Sequence, residues 1–183
     1  MSKIAIIGAG SIVFCKTLIL DIMSIKDMEN TEFALMAPSS IRSSQVEAFA
    51  NQVIRENGLS AKVWVTTDRR EALKGADYVI ATFQVGGDKG FDYDYTIPMN
   101  HGVDQCIGDT PGPGGVFRAL RSIPVIMDLA ADMGELCPNA VLLNYVNPMA
   151  MICWALGKTN VQFVGLCHGV QTTLDLISGY TGV

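Results

Sequence analysis

Lys3-Ile4-Ala5-Ile6-Ile7-Gly8-Ala9-Gly10-Ser11-Ile12 is the stretch that decides the fold. Its first five residues form a short apolar run, as expected of a strand buried on both faces. A glycine turn follows at once, and an apolar helical pattern continues from Ile12 to about Met23. Strand, glycine turn and helix together make a dinucleotide-binding fingerprint. Gly8 permits the tight turn, and Gly10 lets a pyrophosphate approach the backbone. The helix start at Ser11 and Ile12 offers N–H donors and the positive end of a helix dipole. Val13 stands where the usual pattern has a third glycine.

Outward from this turn, strands and helices alternate. Strands are expected over 32–36, 62–66, 78–82, 141–145 and 161–165, each an apolar or alternating run. Helices are expected over 39–57, 68–74, 114–136 and 148–156, with a further one beginning near 171. The order predicts an α/β fold, a Rossmann-like, doubly wound and mostly parallel sheet in one domain over 1–183. Residues 84–113 break the pattern. Six glycines and three prolines over 86–113, at Gly86, Gly87, Gly90, Gly102, Gly108, Gly112, Pro98, Pro111 and Pro113, point to a long functional loop.

Composition excludes several classes of function. A net charge of −5 argues against nucleic acid and anionic membrane as partners. No apolar run reaches the roughly 18–20 residues of a membrane span. The N-terminus enters a strand directly, without the pattern of a signal peptide. Five unpaired-looking cysteines suit a reducing cytoplasm.

The end of the second strand bears on the cofactor. An NAD site usually places Asp or Glu there, on the adenosine ribose hydroxyls. Here the chain reads Ala37-Pro38-Ser39-Ser40-Ile41-Arg42. Ser39 and Arg42 could accept a 2′-phosphate and favour NADP; alternatively Ser39 caps the next helix and Arg42 is merely exposed. Arg118 and Arg121, three apart on one helix face, could meet an anion or simply face solvent. Asn144 and Asn147 flank the end of the fifth strand, poised to bond a ribose or substrate hydroxyl. Asn147 could equally cap a helix that opens on Pro148. Cys167 and His168 close the sixth strand, where open α/β sheets present chemistry.

Several runs carry a more specific signal. They are Phe83-Gln84-Val85-Gly86-Gly87, then Gly108-Asp109-Thr110-Pro111-Gly112-Pro113-Gly114-Gly115 leading into Arg118-Ala119-Leu120-Arg121. Leu143-Asn144-Tyr145-Val146-Asn147-Pro148-Met149 and Gly165-Leu166-Cys167-His168-Gly169-Val170-Gln171 follow. With the N-terminal turn, these resemble glycoside hydrolase family 4, the NAD- and metal-dependent glycosidases, on the side of the bacterial α-galactosidases. Lactate and malate dehydrogenases would share the sheet but not the last two runs.

The resemblance implies redox-assisted cleavage, an exception to the two-carboxylate scheme. The nicotinamide takes hydride from C3 of the sugar. The ketone acidifies the C2 proton, a base removes it, and the aglycone leaves C1. Water adds and hydride returns. A divalent metal, Mn²⁺ in the family, would hold the C2 and C3 oxygens. The candidate cofactor contacts are Gly8, Gly10, Ser11, Ile12 and Gln84, with Ser39 and Arg42 at the NAD or NADP end, and to these the resemblance adds roles by position. It implies Asn147 and Arg118 at substrate, Asp109 as the acid for the leaving oxygen, and Cys167 as a metal ligand. His168 is expected beside the metal or the nicotinamide.

Two departures qualify this. Family members are more than twice as long, and the C-terminal half of the family fold, with the second metal ligand (a histidine) and the C2 base, is expected to be absent. The chain therefore reads as the N-terminal part of a longer enzyme, or as one that has lost its chemistry. Ala37 replaces the usual acid. The expected substrate is an α-galactoside, although glucose- and galacturonate-acting members share these motifs. The alternatives are an inactive dinucleotide-binding module and a small-molecule NAD(P) dehydrogenase. The apolar faces of the fifth and sixth strands are expected to lack partners and to favour a homo-oligomer.

Overall fold

The computed structural model describes residues 1–105 and 110–182, the side chains of His168, Val170 and Gln171 excepted. Six strands form one all-parallel sheet: β1 Lys3–Ile7, β2 Glu32–Met36, β3 Lys62–Thr66, β4 Tyr78–Ala81, β5 Val141–Asn144 and β6 Gln162–Gly165. Their order is β3-β2-β1-β4-β5-β6. The connecting helices are α1 Ile12–Ser24, α2 Ser40–Asn57, α3 Arg69–Leu73, α4 Gly87–Asn100, α5 Pro113–Leu136 and α6 Met149–Leu156, with α7 His168–Thr181 after β6. Such an order reverses direction between β1 and β4, and there the carboxyl ends of the strands open a crevice.

Side-chain alternation on β1 separates the core into two layers. Ile4 and Ile6 face one side and pack with Cys15 and Ile19 of α1 and Val46 and Ala50 of α2. Ala5 and Ile7 face the other, toward Leu73 of α3, Ile126 and Leu129 of α5, and Ile152 of α6. A strand buried on both faces has no polar position to spare, which is why its sequence shows no alternation. On α5, Ala119, Ser122, Ile126, Leu129, Ala130 and Met133 are buried, a spacing of three and four that lays one stripe on the sheet.

Two expectations change here. Within the expected loop, Gly87–Asn100 is a helix of 14 residues. Gly86 and Gly87 take positive φ of 89° and 56° and turn the chain into it, while Pro98 falls in its last turn and cannot donate to the Asp94 carbonyl, which accepts from Gln105 Nε2 at 3.0 Å. The glycines and the proline thus mark the borders of α4 rather than a structureless run. Second, β5 does not lack a partner: Leu142 is fully buried beneath the helices. On β6, by contrast, Val164 stays 47% exposed.

Among the described residues no helix is long and apolar enough to cross a membrane. Cys15, Cys137, Cys153 and Cys167 are free thiols, and burial pushes the Cys15 thiol up to about 12.

An ion-pair cluster ties α3 to α5. Arg69 Nε and Arg70 Nη1 donate to the Asp132 carboxylate at 2.7 and 2.6 Å. Partial burial alone would raise Asp132; hydrogen bonds from Arg69 and Arg70 outweigh it and hold the carboxyl below its ordinary value. A depressed folded-state value means the stabilisation is complete above the unfolded value of about 4 and is lost as the pH falls through the folded one. Asp132→Asn is therefore expected to lower the urea midpoint at neutral pH and to match the parent near about pH 2. An equal loss at both pH values would contradict it.

Candidate functional site

A cleft of about 740 Å³ lies over the carboxyl ends of the central strands. Its floor is the turn after β1, with Gly8, Gly10 and Ser11. The turn after β2 adds Ala37, Pro38 and Ser39, with Ile41 and Arg42 from the start of α2. The turn after β4 adds Thr82, Phe83 and Gln84, with Gly87 and Asp88 from α4. Tyr145 and Asn147 follow β5, and Arg118 reaches in from α5.

Close contacts explain why glycines occupy the floor. Gly8 has φ +104°, and a Cβ there would sit 2.7 Å from the Phe83 nitrogen and the Thr82 carbonyl carbon. The β1 turn thus lies directly on the exit of β4. It is tied to β2 as well, since Gly8 and Ala9 both donate to the Met36 carbonyl at 2.9 Å. At Gly10 the situation is the opposite: a Cβ would meet only Ala37 Cβ, at 4.0 Å. The fold leaves room there, and the space belongs to the cleft. Ser11 precedes α1 without a side-chain capping bond, so the positive end of this helix is turned to the cleft floor. Val13, in place of the third glycine, is 81% exposed and does not separate helix from sheet.

Arg121 organises the opposite wall. Its Nη1 and Nη2 donate to the two Asp94 oxygens at 2.8 and 2.5 Å, and its Nε donates to the Val85 carbonyl at 3.3 Å. The Asp94 hydrogen bonds raise the Arg121 pKa above its ordinary value. The guanidinium also packs under Gly86 and Gly90, where added Cβ atoms would approach it to 3.2 and 3.4 Å. One side chain thereby holds the turn after β4 and the helix that follows it. Arg121 is committed to this pair, so the expectation that it could meet an anion is corrected. Arg118 donates to Gln84 Oε1 at 3.3 Å and lies 5.9 Å from the Phe91 ring centre. Gln84 Nε2 in turn donates to the Gly87 carbonyl at 3.0 Å.

The cleft gathers Gly8, Gly10, Ser11, Ser39, Arg42, Gln84, Arg118 and Asn147. Other expected residues lie elsewhere. Ile12 packs its side chain against the core on the α1 and α2 side. Asn144 is fully buried and serves the turn after β5: its Oδ1 accepts from the Val146 N–H at 3.1 Å. Its expected ribose contact is corrected accordingly. Pro148, not Asn147, occupies the cap position of α6, which starts at Met149. Ser39 caps α2, accepting from the Ile41 N–H at 3.5 Å. Asp109 lies outside the described residues, as does the side chain of His168.

Cys167 stands at the carboxyl end of β6 as the cap of α7, exposed, its Sγ accepting from the Gly169 N–H at 3.4 Å. Among the described residues no three His, Cys, Asp or Glu side chains gather where they could hold a metal. A hard divalent ion prefers about six ligands, largely oxygen and nitrogen. Among the described residues Cys167 thus stands outside any such three-ligand group.

Sequence reasoning missed Asp94, Phe83 and Tyr145. Tyr145 stacks edge-on against Phe14, with ring centres 5.0 Å apart. Burial, with Asp21 adding repulsion, raises its pKa and keeps it a neutral hydroxyl. Its place directly after β5 was the available signal.

Residues 3–182 match the model of the family 4 glycosyl hydrolases. The chain belongs to this family. Over 182 residues it is 45% identical to an α-galactosidase of Rhizobium meliloti, covering 98% of this chain and 37% of that one. It is 44% identical to an α-galactosidase of Bacillus subtilis, covering 96% of this chain and 41% of the relative. The 6-phospho-β-glucosidase of Thermotoga maritima, solved with manganese, NAD⁺ and glucose-6-phosphate, superposes with a TM-score of 0.86 at 26% identity. That match covers 100% of this chain and 43% of the other. The family 4 chain thus spans less than half the length of these relatives.

Proposed function

We propose that this family 4 chain binds NAD along the cleft and serves the redox-assisted cleavage of an α-galactoside. The observation that carries the reading is the cleft itself. It crosses the point where the strand order reverses, above a glycine turn whose Gly10 leaves space the fold does not use. The α-galactosidase names of two relatives at 45% and 44% identity support the substrate class.

When bound, the nicotinamide supplies a reversible hydride acceptor. The Gly8–Gly10 backbone and the start of α1 hold the pyrophosphate, because N–H groups and a positive helix end meet an anion there. Phe83 and Tyr145 give the neighbouring wall apolar surface. Asn147 and Arg118 offer an amide and a cation to sugar hydroxyls, with Gln84 orienting Arg118. Resemblance alone supports Asp109 as the leaving-group acid and Cys167 as one ligand of a divalent metal, and no step is routed through that metal. Exposed Trp154 and Leu120, at 77% and 63%, support a homo-oligomer as part of the same reading.

Isothermal titration with NAD⁺ tests the cleft. Gly10→Val should fold normally yet weaken NAD⁺ at least about 100-fold, since the added atoms occupy the space that a pyrophosphate needs. Absence of NAD⁺ binding by the parent chain, or unchanged binding by the variant, ends the dinucleotide reading. The glycosidase reading predicts that cleavage of p-nitrophenyl α-galactoside requires added nicotinamide and Mn²⁺. Full activity without either ends that part.

A further inference from the structure

We propose that the β2 end of the cleft accepts a ribose 2′-phosphate through Arg42, so that the chain binds NADP⁺ at least as tightly as NAD⁺. This rests on the dinucleotide reading of the cleft and adds which dinucleotide it selects.

In sites that prefer NAD, a carboxylate after the second strand accepts from the ribose hydroxyls and repels a 2′-phosphate. Here β2 ends at Met36, and the cleft wall beyond it is Ala37, Pro38, Ser39, Ile41 and Arg42. None is acidic. The acid that lines the cleft, Asp88, belongs to α4 on the far side of the strand reversal.

Arg42 supplies the charge. It is exposed on the first turn of α2 and lines the cleft. Among the described residues it has no hydrogen-bond or ion-pair partner, whereas Arg69, Arg70 and Arg121 are all engaged by carboxylates. A guanidinium with its fork unoccupied is suited to bidentate phosphate contact. Ser39 adds a second donor. Its Oγ accepts from the Ile41 N–H at 3.5 Å, a long bond that leaves the hydroxyl hydrogen available. The start of α2 contributes favourable dipole at the same place.

Isothermal titration of the 183-residue chain with NADP⁺ and NAD⁺, and with 2′,5′-ADP and 5′-ADP as the matching fragments, tests the proposal. NADP⁺ is expected to bind at least as tightly as NAD⁺, and 2′,5′-ADP about tenfold more tightly than 5′-ADP. Arg42→Ala should weaken NADP⁺ and 2′,5′-ADP by about tenfold more than it weakens NAD⁺ and 5′-ADP. NAD⁺ binding by the variant also reports that it is folded. Tighter binding of NAD⁺ than of NADP⁺ by the parent overturns the proposal, as does an Arg42→Ala variant with unchanged NADP⁺ affinity. Failure of both dinucleotides to bind overturns instead the reading of the cleft on which it rests.

Discussion

Gly8→Ala is expected to destabilise the protein by about 3–5 kcal/mol, more than any other single methyl on the cleft floor. Two costs add. At φ +104° an L-residue is strained, which is worth about 1–3 kcal/mol. The new Cβ would also stand 2.7 Å from the backbone of Thr82 and Phe83. Main chain at the exit of β4 cannot swing aside as a flexible side chain can. Relief therefore requires β1 and β4 to separate, and Ile7 pairs with Ala81 just before the contact. Gly58→Ala is the control. Its φ is +63° and nothing lies within 4 Å, so only the left-handed penalty of about 1–2 kcal/mol applies. Urea titration of both variants gives the comparison. Equal midpoints would show that the β1 turn does not press on β4. Gly8→Ala and Gly10→Val form a contrasting pair: the first damages the fold, the second only its occupant.

Arg121→Met should cost about 3 kcal/mol, because it leaves the Asp94 carboxylate buried without its counter-charge. The Asp94 side chain is 7% exposed and that of Arg121 32%, which places the effect at the lower end for a broken buried pair. The double variant Asp94→Leu/Arg121→Met should recover most of the loss, since removing both charges removes the desolvation penalty as well. Cleft geometry gives a second readout. Without the Nε bond to the Val85 carbonyl, the turn that carries Gln84 loses its anchor. NAD⁺ affinity should then stay reduced in the double variant even where stability returns. Recovery of both together would assign Arg121 to stability alone.

The strands were legible because each is a local fact. Residues 3–7, 32–36 and 62–66 are strands over those same residues in the structure. A parallel strand covered on both faces must be continuously apolar, and the run itself records this. The β1 turn was legible for the same reason, since glycines follow the strand directly. Residues 87–100 were not. Helix α4 has glycine at Gly87 and Gly90 and proline at Pro98, and propensity reads such residues as breaks. What holds it is Arg121, 27 residues beyond Asp94, and no local pattern announces that pair. Asn144 and Asn147 look alike in sequence at the end of one strand. Packing separates them: Asn144 turns inward to Val146, and Asn147 stands on the cleft wall.

By itself, then, the sequence determined the sheet, the dinucleotide turn and the family, all of which depend on residue types within a few positions of one another. Tertiary structure alone decided which polar side chains share the cleft. Cleft residues come from five separated segments, after β1, β2, β4 and β5 and on α5, brought together where the strand order reverses. It also decided that Arg121 is spent on Asp94 while Arg42 is left unpaired among the described residues. An ion pair depends on distance in space, and spacing along a chain does not encode it.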